Sequence, residues 1–254
     1  SLEKITDKDI KIDSWTGEMR IKKSKEELEI LKQSAQYADQ AFQKIREMIR
    51  PGQNEISLNL EMQKKTAEMV IEDQGGISVG AEELSYYRIL SGPNTYNPHG
   101  KVENRELQNK DILLPGMALA YQGYNAELER TMFLGKTKKK QKNYFRIMLE
   151  AQKIAEGAAA ADVKLSHVDQ QVHNYFRKQG VLENTRHHTG HGLGLQGHEK
   201  PFIDRGNDGK LKENMVISLE PGIYFEEAGG FRHSDTFVVK EHGLERITSD
   251  PRDL

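Results

Sequence analysis

Residues 185–201, TRHHTGHGLGLQGHEKP, crowd four histidines and a glutamate among glycines. Imidazole exchanges its proton near neutral pH and also ligates divalent metals, so such a cluster forms either a proton-handling wall or a metal wall. The glycines let a backbone bend closely around a small ligand. A surface loop can hold solvated histidines as well, so the weight of the stretch rests on carboxylates that converge on it from elsewhere. Glu220 ends an apolar run at the turn Pro221-Gly222, where a buried strand would present its carboxylate to a cleft; burial there raises its pKa or demands a cationic partner. Glu127 and Glu129 share one face if residues 126–134 form a strand, and they repel unless a metal, a proton or a cationic substrate lies between them.

His99, after Asn97 and Pro98, is the candidate general base or proton shuttle, taking a proton from water and returning it to a leaving nitrogen. His198, as imidazolium, is the candidate for stabilising an oxyanion or tetrahedral intermediate. His191 lies between Gly190 and Gly192, which is expected to leave its ring exposed to the cleft. Arg232 can grip a substrate carboxylate in bidentate fashion, although pairing with Asp235 is the more ordinary outcome. His188 is a further substrate-side candidate, and His187 and His233 read as support.

Helices and strands must bring these groups together. Ser24 and Glu27 form the signature of a capping box, and Leu28, Leu31, Ala35, Ala38, Phe42, Ile45 and Ile49 follow with helical spacing until Pro51 and Gly52. A second amphipathic helix is expected over 58–72. From 77 to 134 the pattern changes to short alternating runs, with strands at 86–90, 111–114 and 129–134. Helices at 142–161 and 166–179 follow, then strands at 215–219, 222–225 and 236–240. Two helices followed by strands therefore occur twice. The run LQNKDILLPG resembles LKENMVISLEPG, and SGPNTYNPH parallels TGHGLGLQGH, a pattern of internal duplication. Halves related by a pseudo-twofold axis would set His99 across a shared cleft from His198. Residues 1–20 lack periodicity and read as a linker or the remnant of a missing N-terminal domain, and 21–254 as one catalytic domain.

The 254 residues are long enough for a proper core, and 37 basic against 39 acidic residues mixed along the chain argue against a nucleic-acid or membrane-surface role. With no cysteine there is no disulfide framework and no thiolate metal site, which fits a cytoplasmic protein.

SGPNTYNPH, GYNAELERT, TGHGLGLQGHEKP, SLEPGIY and GGFRHSDT, in that order, resemble the pita-bread family, which includes Xaa-Pro dipeptidases, methionine aminopeptidases and creatinase. The resemblance covers about residues 19–248. It implies an α/β (α+β) fold of two pseudosymmetric halves, each of helices plus antiparallel sheet, with the active site on the concave sheet. Peptidases of the family hold two metal ions with two Asp, one His and two Glu, and the matching positions here are Gly116, Glu127, His191, Glu220 and Ser234. Glycine offers no ligand and a neutral hydroxyl is a poor one, so a two-metal centre is not expected. Glu127 reaches about 1.5 Å deeper than the usual Asp.

Creatinase works without metal, and its SGxNTxxxH and LERT segments are similar to 91–99 and 128–131; the resemblance carries its catalytic histidine onto His99 and its substrate-facing glutamates onto Glu129 and Glu220. The leading expectation is thus metal-independent hydrolysis of a carbon-nitrogen bond in a small polar substrate, with no cofactor. The alternative is an Xaa-Pro dipeptidase with one divalent metal (Mn, Zn, Co or Fe) on Glu127, His191 and Glu220. A non-catalytic pita-bread binding module is a third reading. The expected partners are a small-molecule or dipeptide substrate and a second copy of the chain in a homodimer.

Overall fold

The computed structural model describes residues 15–73 and 86–253. Residues 1–14 of the expected linker and the first part of the expected sheet region, 77–85, lie outside the described residues. The remainder of that linker is a short helix, α1 (Trp15–Ile21), with no buried residue. Lys22 then bridges to Met215 in the second half of the chain.

The capping box forms as its residues dictate. The Ser24 hydroxyl accepts from the Glu27 N–H while the Glu27 carboxylate accepts from the Ser24 N–H, which opens α2 (Lys25–Met48). The apolar stripe of α2, including Leu31, Ala35, Phe42 and Ile45, is fully buried. With α3 (Glu55–Asp73) it covers the first sheet, made of β1 (Tyr86–Ser91), β2 (Ile112–Tyr121), β3 (Tyr124–Glu129) and β4 (Met132–Phe133). The strands are antiparallel in the order β1-β2-β3, with β4 also on β2. Gln122 and Gly123 join β2 to β3 with φ of 48° and 81°, the double left-handed geometry that matches strand twist in a two-residue hairpin.

The single strand expected over 129–134 is split into β3 and β4. Register runs unbroken from Gly116↔Glu129 to Leu113↔Met132, which sets Pro115 opposite Arg130. Arg130 donates its N–H to Pro115 O at 3.1 Å, but proline has no N–H to return, so the ladder lapses there.

The second half repeats the order. Helices α4 (Lys139–Ala158) and α5 (Leu165–Lys178) precede β5 (Gly190–Gly192), β6 (Glu199–Ile203), β7 (Val216–Leu219), β8 (Gly222–Phe225), β9 (Gly229–Arg232), β10 (Asp235–Lys240) and β11 (Gly243–Arg246). One sheet has the order β11-β10-β7-β5-β6, and β8 pairs with β9 in a separate ribbon. Each half has its own apolar core, and a smaller cluster of Leu28, Leu31, Leu193, Val216 and Val238 lies between them. The sheets meet where Glu129 and Ser234 exchange backbone hydrogen bonds of 3.0 Å and Asn125 N–H donates to Gly194 O at 2.8 Å. Among the described residues no helix is long and apolar enough to cross a membrane.

Candidate active site

Alternation along β3 sends Glu127 and Glu129 to the same face, toward the line where the halves meet. Glu127 is nearly buried; its Oε1 accepts from the Ser234 hydroxyl at 2.6 Å, and its N–H donates to Thr236 Oγ1 at 2.8 Å. Both partners come from the second half, so Glu127 is oriented from across the seam.

His191, on β5, is fully buried and not exposed as its glycine neighbours led us to expect. The glycines answer to backbone crowding instead. A Cβ on Gly190 would fall onto Ser218 O of β7, and one on Gly192 onto Lys200 O of β6. The His191 Nδ1 faces Gly192 O at 3.0 Å, which leaves Nε2 toward the carboxylates: Glu220 Oε1 at 3.1 Å and Glu127 Oε2 at 3.4 Å. Burial opposes its charged form, but Glu127 and Glu220 outweigh that and hold the imidazole pKa well above its ordinary value. Burial would likewise raise Glu220, yet His191 and Arg232 hold its carboxyl far below the carboxylate range.

The base of β5 is anchored by a residue the sequence did not single out. Asp169 of α5, 1% exposed, accepts from the Thr189 hydroxyl at 2.6 Å and from its N–H at 3.2 Å, and Thr189 O accepts from Glu220 N–H at 2.8 Å. One carboxylate thus fixes the approach of both His191 and Glu220. The spacing of Asp169 on an amphipathic helix carries no mark of this, because the contact is long-range.

Arg232 does not pair with Asp235. Its guanidinium is bidentate on Glu129, with Nη2 to Oε1 at 2.7 Å and Nε to Oε2, and Asp235 is taken by Arg130 and Arg252 instead. Arg232 lines the cleft, and Asp235 is not among the residues that do. Burial works against the Arg232 cation, but Glu129 foremost holds its pKa well above the ordinary value. Glu220 Oε2 lies 3.8 Å from Arg232 Nε, and Pro98 O accepts from Nη2 at 3.3 Å.

A cavity of about 90 Å³ is lined by His99, Glu127, Glu129, His198, Glu220, Arg232, Gly116 and Arg88. The SGPNTYNPH and TGHGLGLQGH segments therefore do bring His99 and His198 to one cleft, both at its exposed rim. Partial desolvation, then the charges of Arg232 and Arg88, lower the His99 pKa; desolvation and the neighbouring His191 lower that of His198. The His198 ring stacks on His191 with centroids 4.0 Å apart. His188 stands outside the cavity, edge-on to both His191 and Phe202. His187 is bonded through Nε2 to the Tyr224 hydroxyl at 2.8 Å and lies close enough to Glu220 and Arg232 to feel their charges, and His233 is buried against Phe145. Arg88 escaped the sequence reading; its place follows from the register Arg88↔Gly116, which no local pattern reveals.

The donor set fits one divalent ion and not two. Among the described residues, ligand atoms of Glu127, His191 and His198 lie within 4.8 Å of one another, and the buried His191 Nε2 has no aligned hydrogen-bond partner. The group shares Glu127 and His191 with the expected set but has His198 where Glu220 was expected; Glu220 Oε1 lies 3.1 Å from the same His191 Nε2. A second ion lacks ligands, since Gly116 has none and Ser234 spends its hydroxyl on Glu127.

Comparison with known proteins gives a consistent picture. The model of metallopeptidase family M24 matches residues 29–241. An Xaa-Pro dipeptidase of Pyrococcus furiosus is 33% identical over 247 residues, which cover 96% of this chain and 68% of the relative. Among solved structures, the Xaa-Pro dipeptidase from Bacillus anthracis superposes with a TM-score of 0.89 at 31% identity, covering 99% of this chain and 69% of that one. An X-Pro aminopeptidase from Thermotoga maritima gives 0.85 at 30% identity, covering 95% and 66%. The chain spans about two thirds of the length of these relatives.

Proposed function

Because this chain belongs to metallopeptidase family M24 and has its pita-bread fold, we propose that it hydrolyses the carbon-nitrogen bond of Xaa-Pro dipeptides with a single divalent metal. The observation that carries this reading is the His191 Nε2, buried, unaligned with any partner and flanked by Glu127 and Glu220 at 3.4 and 3.1 Å. Glu127, His191 and Glu220, with His198, would hold the ion. Its chemistry when bound is to polarise the scissile carbonyl and to acidify a water.

The chain's own residues do the rest. His99, kept neutral at the rim, accepts a proton from the attacking water and returns it to the leaving proline nitrogen. His198 lies across the rim from His99, where its lowered pKa leaves the imidazole neutral and able to help hold the ion. Ser234 holds Glu127 in one orientation, and Arg232 holds Glu129 in place, against burial, which raises the Glu129 pKa. The 90 Å³ cavity admits the reacting bond and little more, so the flanking groups of the substrate rest at the open rim. The test is hydrolysis of a panel of Xaa-Pro dipeptides: chelation should abolish it and Mn, Co, Zn or Fe should restore it. Cleavage that survives rigorous chelation, or no cleavage with any of these ions, would overturn the reading.

One observation favours a second reading. The cleft already contains two guanidinium groups, of Arg88 and Arg232, against the carboxylates of Glu127, Glu129 and Glu220. Charge of that kind can support metal-independent hydrolysis of a small polar substrate, with His99 as base. Activity that persists in chelated protein would establish it in place of the first.

A further inference from the structure

We propose that the Glu129 carboxylate, clamped by Arg232, fills the space above Gly116 that a metal-binding side chain at that position would need, and so closes the second metal position of this family's centre. The inference rests on the family reading above and concerns what replaces the lost ligands. Glu129 stands between both of them: it pairs in register with Gly116 on one side and bridges Ser234 on the other. A Cβ on Gly116 would come 2.6 Å from Glu129 Oε1. A carboxylate at position 116 therefore requires the Glu129 carboxylate to leave its place on Arg232. Loss of the first and presence of the second form one structural unit.

Arg232 completes that unit. It is 3% exposed, so its charge can neither swing out to water nor be neutralised by it. It donates to both oxygens of Glu129, lies 3.8 Å from Glu220 Oε2, and donates to Pro98 O at 3.3 Å. A metal ion bridging carboxylates from the two halves would make the same kind of tie. Here a single side chain joins β3, the end of β7 and the loop carrying His99. Arg232 is thus a positioning residue for His99 as well as a fixed countercharge.

Metal stoichiometry tests this independently of activity. Chelated wild-type protein, loaded with Mn²⁺ and separated from free ion, should retain at most one manganese per chain and show no exchange-coupled manganese pair by electron paramagnetic resonance. The triple variant Gly116→Asp/Glu129→Ala/Ser234→Glu should gain one further ion, whereas Gly116→Asp/Ser234→Glu, with Glu129 retained, should gain none. Two ions in the wild type, a second ion in the double variant, or a folded triple variant with no gain would overturn the proposal. Wild-type crystals soaked in Mn²⁺ decide the matter even if the variants do not fold: an anomalous peak beside Arg232 refutes it, and an intact Arg232–Glu129 pair without one supports it. A wild type that binds no metal leaves this inference standing and removes the one-metal reading, so the two failures are distinguishable.

Discussion

The Ser234 hydroxyl donates to Glu127 across the seam between the two halves, at 2.6 Å and out of reach of water. Removing it leaves a buried carboxylate oxygen without its donor. Ser234→Ala should lower unfolding free energy by about 1–3 kcal/mol, the cost of an unsatisfied buried group. It should also weaken divalent-metal affinity, because Glu127 is then free to rotate. Urea denaturation and metal titration of the variant check both effects.

His99→Ala should reduce kcat on a cleaved substrate by about 10²–10⁴-fold, the usual contribution of a positioned general base. Because His99 is at the exposed rim, the fold should tolerate the change, with Tm close to wild type. Unchanged kcat in a well-folded variant would remove His99 from the chemistry.

Asp169→Ala should disturb His191 and Glu220 together, since both depend on Thr189. The expected loss is about 2 kcal/mol of stability with a fall in turnover. Asp169→Asn keeps one carbonyl acceptor for Thr189 and should recover part of both. Equal damage from the two substitutions would show that charge and not the Thr189 contact is what matters.

Gly190→Ala and Gly192→Ala should each be severely destabilising, by about 3 kcal/mol or more, because backbone carbonyl oxygens occupy the space of the new methyl groups. Thermal melts of the two variants measure this directly. Gly157→Ala, on α4 with open space around it, should be neutral or stabilising and serves as the control.

Burial first, then the charge of Arg232, depresses the pKa of His187 to about 4, against Glu220, which raises it. A histidine with a depressed folded-state pKa contributes full stability above its unfolded value, about 6.5, and loses it as pH falls toward 4. The folded protein should therefore lose about 3 kcal/mol over that interval from this group alone. His187→Gln should flatten the dependence between pH 6.5 and 4, as measured by denaturation at a series of pH values.

The sequence revealed the fold through devices that act locally. Ser24 and Glu27 announced the first long helix, Pro51 and Gly52 its end, and the repeated helix-helix-strand order announced two halves. The residues His99, Glu127, Glu129, His191, His198 and Glu220 were legible as chemical groups, and folding does collect them at one place. Their partners were not legible. Arg88, Asp169 and the pairing of Arg232 with Glu129 depend on strand register and on contacts spanning up to a hundred residues, for which composition and spacing leave no trace. Pro115 is a different case: it was visible beforehand as a residue without an N–H, but its effect appears only once Arg130 is known to lie opposite it. The glycines around His191 admitted two explanations, an open ring or a crowded backbone, and only the position of β7 and β6 separates them.

The bridge between Glu129 and Ser234 divides the charges of the cleft by origin. The first half brings Arg88, His99, Glu127 and Glu129, and the second brings His191, His198, Glu220 and Arg232. Neither inventory is useful alone: one has carboxylates without their buried cation, the other a buried cation without its carboxylate. A chain in which only one half has folded would therefore hold half of the cleft's charged groups, and the docking of the two halves is the step that completes the site.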